Sequence, residues 1–156
     1  MPDFPITPEA FPASTRTAAG EVDGVHTDVM VVRFADKIMV TITQGGRLAH
    51  WVHVPLDNPT ADAFSNAAPP TSFEDDEPGP NNDLLPMAHL TATTVLGGTI
   101  PERDTAGQLV AAQVASTIAT KDSEEKRLVV VGMGLEKKDM SREAFVDLVG
   151  LVMGCL

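Results

Sequence analysis

A chain of 156 residues is long enough for one domain with a real core and too short for two comfortable ones. Hydrophobic residues make up 43%, but no apolar run approaches the roughly 18 residues of a membrane span, and the formal charge is −11. That charge is concentrated: residues 1–24 carry −3 and residues 57–86 carry −7, while the remainder has eleven acids and ten bases. The part expected to fold is therefore nearly neutral and offers no electrostatic footprint for nucleic acid or an anionic membrane.

In chain order, residues 1–24 are rich in Pro, Ala and Thr, lack a sustained apolar period, and read as a disordered arm. No charged-then-apolar leader is seen there, and the single Cys155 cannot pair within the chain, so a reducing, intracellular setting is expected. "TDVMVVRF" (27–34) and "KIMVTITQ" (37–44) are β-branched and apolar and are separated by Ala35 and Asp36, which suits two strands joined by a tight hairpin. Gly45 and Gly46 mark a turn into a third strand, "RLAHWVHVPL" (47–56). A Pro-rich stretch with seven acids and no base follows at 57–86 and reads as a disordered insert within the domain.

"MAHLTATTVL" (87–96) makes a fourth strand, after which the apolar period changes from two to 3.6. A helix is expected from Thr105 to about Thr120, with Thr105 and Gln108 in the spacing of a capping box. "RLVVVGMGL" supplies a fifth strand, and Ser141 caps a last helix that stops at Gly154. The fold class is α+β: an antiparallel sheet of about five strands with two helices on one face, in the order β-β-β-β-α-β-α, forming a single domain over 25–156.

The chemistry of sites finds little purchase. The stretch "RLVVVGMGLEKKDMS" (127–141) looks like the start of a phosphate loop, but Gly132 and Gly134 meet neither the Walker nor the dinucleotide spacing, and they fit close packing or a bend better. His50 and His53 are three apart on a strand, so they point to opposite faces and cannot share a metal ion. His26 and His89 have no ligand partners at suitable spacing, no nucleophile elbow is present, and Cys155 follows the last helix. No catalytic residue, cofactor or metal is expected.

The sheet faces are more informative. Ile38, Val40 and Ile42 form an apolar face that calls for helices, whereas two helices cannot cover both sides of a five-stranded sheet. The other face collects Met39, Thr41, Thr43, Trp51, His53, Thr91 and Thr93, of which Met39, Thr41, Thr43, Trp51, His53 and Thr93 are the candidate partner-binding residues. Trp51, the single tryptophan, fits an interface anchor and ordinary core packing equally well.

"DGVHTDVMVVRFADKIMVTITQGGRLAHWVHV" resembles the N-terminal sheet of the proteasome assembly chaperone 3 family, and the segments from "ATTVLGG" to "QVAS" and from "RLVVVGMG" to "MGCL" are similar to its later strands and helices. The similarity covers about 23–56 and 87–156, and the arm and acidic insert depart from it. It implies a non-enzymatic chaperone that pairs with a related small chaperone, or with itself, through sheet faces carrying their helices outside. It further implies that the dimer binds an alpha-type proteasome subunit and promotes alpha-ring formation. A cytoplasmic setting, extending to the nucleus, is expected, with neither nucleic acid nor membrane as a partner. The competing readings are a small α+β scaffold or trafficking and signalling interaction module, and a small enzyme or nucleotide binder using 132–138.

Overall fold

The computed structural model describes residues 13–57 and 86–156. These form β1 (Ser14–Val22), β2 (Val25–Arg33), β3 (Lys37–Thr43), β4 (His50–Pro55), β5 (Thr93–Leu96), α1 (Pro101–Lys121), β6 (Leu128–Gly134) and α2 (Arg142–Met153). The strands make one six-stranded sheet in the order β1-β2-β3-β6-β4-β5. The α+β class is as expected, with both helices on the same face. Antiparallel pairing holds throughout except between β3 and β6, which run parallel because the last strand enters between β3 and β4.

Part of the expected disordered arm is a strand. Residues 14–22 pair with β2 along their whole length, from Ser14 opposite Arg33 to Val22 opposite Val25. The link is Asp23 and Gly24, both at positive φ (52° and 73°), as a two-residue hairpin turn compatible with the strand twist requires. Small residues suit this strand, because Gly20 lies beneath the Leu151 side chain of α2. Residues 1–12, and 58–85 of the acidic insert, lie outside the described residues.

The core lies between the sheet and the helices. Register aligns Val29, Ile42, Met133 and His50 in one row, Val31, Val40, Val131 and Val52 in the next, and Ile38, Val129 and Val54 in a third. Every one of these residues is buried. At roughly 1.5–3 kcal/mol for each fully buried aliphatic side chain, this lattice is the main source of stability. Helix α1 packs on β4 and β6, α2 packs on β1 and β2, and the helices touch each other.

Two element boundaries differ from expectation for physical reasons. Helix α1 starts at Pro101 rather than Thr105, since proline's fixed φ and missing N–H suit the first turn, and the Thr105 hydroxyl instead donates to the Pro101 carbonyl. Of the expected fourth strand, only Thr93–Leu96 pairs with β4; before it, the Met87 N–H donates to Ser116 Oγ and Leu90 is buried in the core. Ser141 does cap α2, its hydroxyl accepting from the Ala144 N–H at 3.1 Å, and the helix ends at Gly154.

The glycines of β6 are spatial requirements. A Cβ on Gly134 would lie 1.8 Å from the Arg47 carbonyl oxygen, where the β3–β4 connection crosses the end of the strand. Gly150, on α2, has nothing within 4 Å of such an atom. We therefore expect Gly134→Ala to destabilise by about 2 kcal/mol or more, and Gly150→Ala to stabilise by about 0.5–1 kcal/mol. Chemical denaturation of both variants checks the contrast.

The start of β6 is held by a second device. Arg127 donates through Nε to Glu125 Oε1 at 2.8 Å and through Nη1 to the Phe34 carbonyl, also at 2.8 Å, tying the α1–β6 connection to the β2–β3 turn. Hydrogen bonds from the Arg127 side chain hold the Glu125 carboxyl down to about 2 from its ordinary 4.5. A carboxylate whose folded pKa is depressed stabilises the fold above its unfolded pKa and loses that contribution as the pH falls through the folded one. Glu125→Gln should cost about 1–2 kcal/mol at neutral pH. Its stability should also fall less steeply than that of the wild-type chain between about pH 4.5 and pH 2, as read by denaturant unfolding across that range.

Candidate functional site

The side of the sheet turned away from the helices is the candidate site. Because neighbouring strands share register, its residues fall into rows that cross the sheet. One row reads Thr15, Val32, Met39, Val130, His53 and Thr93, and the next reads Thr17, Met30, Thr41, Gly132, Trp51 and Leu96. Thr43 stands in a third row between Asp28 and Gly134. The six candidate residues thus share one face and run side by side, whereas Thr91 precedes β5 and is not on the ladder.

Trp51 lies near the middle of the β6–β4–β5 half. A Cβ on Gly132 would come within 2.7–3.0 Å of its six-membered ring, so the indole lies flat across the strand next to it. Glycine at 132 makes the shelf on which the ring rests. Both glycines of the supposed phosphate loop are thereby explained by packing, and Lys137 from the same loop donates to Asp23 Oδ2 at 2.5 Å. Trp51, Met39, Thr43 and His53 are half-buried, Thr41 is buried and Thr93 is exposed. Among the described residues no helix covers this face, and its central rows carry no carboxylate, lysine or arginine. Such a surface can bury apolar and aromatic area against another protein with little charge to desolvate.

His50 and His53 point to opposite faces, as their spacing requires. His50 is buried beneath α1, where Gly107 leaves room for its ring, and its Nε2 lies 3.0 Å from Asp104 Oδ1. The Thr94 hydroxyl also donates to Asp104, and Gln108 Nε2 donates to Asp104 Oδ2 at 3.0 Å and to Thr94 Oγ1 at 3.1 Å. This cluster joins β4, β5 and α1. His50 Nε2 also lies 3.4 Å from Thr94 Oγ1, but that hydroxyl donates to Asp104 rather than to the imidazole, so the geometry is that of a tie between elements. No group of His, Cys, Asp and Glu among the described residues could hold a metal ion. No described helix is long and apolar enough to cross a membrane.

Sequence reasoning missed Met30, Val32 and Val130 as members of the open face, together with the whole contribution of β1. The signal for β1 was the Asp23–Gly24 pair, a strong hairpin indicator that lies at the end of the stretch read as an arm. Val130 was legible only once β6 was known to lie between β3 and β4.

No family model matches the chain, and no curated protein matches it. Among solved structures, a chain in the crystal structure of a novel chaperone complex for yeast 20S proteasome assembly is similar, with a TM-score of 0.53 and 11% sequence identity. The similarity covers 91% of this chain and 98% of that one. At this identity the likeness is one of fold.

The shelf at Gly132 makes a direct prediction. Gly132→Ala should lift the indole from the sheet and expose it, so the fluorescence of this single tryptophan should shift to the red and become more accessible to acrylamide. An unchanged emission maximum would mean that the ring does not rest on Gly132.

Proposed function

We propose that this protein is a non-enzymatic chaperone for assembly of the 20S proteasome core particle. In this reading it acts as a dimer, with a related small chaperone or with a second copy of itself, and promotes alpha-ring formation by binding an alpha-type subunit. Met39, Thr41, Thr43, Trp51, His53 and Thr93 form the partner-binding face, and the helices lie outside. The work is done in the cytoplasm and the nucleus.

The observation that carries the proposal is the open sheet face, whose two central rows carry no carboxylate, lysine or arginine and include a half-buried tryptophan. The overall likeness to a chain of a yeast proteasome-assembly chaperone complex supports it independently. A chaperone of this kind needs no active site. Its mechanism is differential binding: it favours the incompletely assembled subunits it fits, and it dissociates when assembly replaces its contacts with stronger ones. The mixture of threonine with Trp51 and Met39 suits reversible association, since polar hydroxyls keep the free face hydrated while the large side chains supply contact area.

Affinity capture of the tagged protein from its own cells, followed by mass spectrometry, tests the proposal. The expected result is recovery of alpha-type subunits and a second small chaperone, without mature beta-type subunits. Trp51→Ala should reduce recovery of the small partner, since loss of an interface anchor typically costs about 2 kcal/mol or more, while leaving the thermal transition in place. Recovery of none of these proteins with the wild-type chain would overturn the proposal.

A further inference from the structure

The two edges of the sheet are built differently. β1, at one edge, carries Arg16 and Glu21, and Ser14 to Thr17 are exposed and polar. Charged side chains on an edge strand discourage pairing with other chains. β5, at the opposite edge, has the sequence Thr-Thr-Val-Leu with neither charge nor proline, so its shortness and a bulge at Val95 opposite Trp51 and Val52 are what blunt it, and Val95 and Leu96 are 61% and 64% exposed.

This uncharged strand is also held firmly from within. On its helix side Thr94 is bound to Asp104 and Gln108, and Asp104 is bound in turn to buried His50. At its end, Gly97 has φ 87°, and a Cβ there would lie 2.0 Å from the Ala49 carbonyl oxygen, so the backbone is pressed against the residue preceding β4. The strand is therefore anchored at Thr94 and at its end, which lowers the ordering entropy to be lost on pairing.

We propose that the edge of β5 with which no described strand pairs accepts an extended, uncharged, β-branched or apolar segment of a partner polypeptide as a seventh strand. Main-chain hydrogen bonds to β5 would supply the affinity, and Val95 and Leu96 would select apolar side chains over charged ones. The length of the strand decides between a peptide and a second copy. Four residues span about 13 Å, and two copies joined along this edge alone would bury far less than the roughly 1,200 Å² of a stable dimer. The inference stands whether or not the open face serves proteasome assembly.

The test uses the full chain and a blocked synthetic peptide, acetyl-Thr-Val-Thr-Val-Thr-amide, with amide exchange followed residue by residue by NMR at millimolar peptide. The expected result is several-fold slower exchange at outward-facing amides within 93–96. The effect should vanish with the same peptide N-methylated at alternate residues, and with Val95→Lys at an unchanged thermal transition. No slowing, or equal slowing with the N-methylated peptide, would overturn the proposal, and the peptide comparison decides even if Val95→Lys fails to fold. Two further outcomes would also overturn it, each by naming a different occupant. Protection that appears without peptide and grows with protein concentration would assign the edge to a second copy. Protection without peptide that is lost on deleting 60–83 would assign it to the chain's own acidic insert.

Discussion

Where the β3–β4 connection crosses the end of β6, a backbone carbonyl occupies the space a side chain at 134 would need. That close approach allows the last strand to lie between two strands that are neighbours in sequence. The ladder confirms the fit on both sides: the Gln44 N–H donates to the Gly134 carbonyl at 3.0 Å and the Ala49 N–H to the Met133 carbonyl at 3.0 Å. With β6 in place, Val129, Val131 and Met133 complete the core rows begun by β3 and β4. Without it, those rows would have a gap through the middle of the sheet, and α1 would lose part of the surface on which it packs.

The same strand determines the other side of the sheet. Its alternate residues, Val130 and Gly132, are central in the open face, and Gly132 leaves the space Trp51 occupies. A single strand therefore stabilises the domain through one face and shapes the open face through the other. His50 and His53 show the same division on β4: one is locked beneath a helix by Asp104, and the other stands on the open face. The polar tie at Asp104 holds the short β5 in place, although none of its residues is buried.

What could be read from the sequence followed from local chemistry. The β2–β3 hairpin, the apolar alternation of Ile38, Val40 and Ile42, the serine cap at 141 and the opposed histidines all depend on near neighbours in the chain, and the structure has each of them. The packing role of Gly132 and Gly134 was legible by elimination, because the spacing of phosphate loops was absent, but their neighbours Trp51 and Arg47 were not. β1 was hidden by its composition: it gains its place by pairing along β2 and by offering small residues to α2, and neither leaves an apolar period. The parallel β3–β6 pair joins residues about ninety positions apart, such as Val40 and Val131, and no local pattern encodes such a contact. The residues proposed for the partner-binding face were assigned from alternation alone, and the observed register puts all six on one side.

Hydroxyl-radical footprinting of the chain, alone and within the complex captured from its cells, addresses most directly the claim that this face is where the protein associates. Met39 and Trp51 report on the open face, and Met153, 45% exposed on α2, reports on the helical layer. Oxidation of Met39 and Trp51 should fall sharply in the complex while that of Met153 is retained. Protection of Met153 with Met39 and Trp51 unchanged would place the interface on the helices and contradict the account.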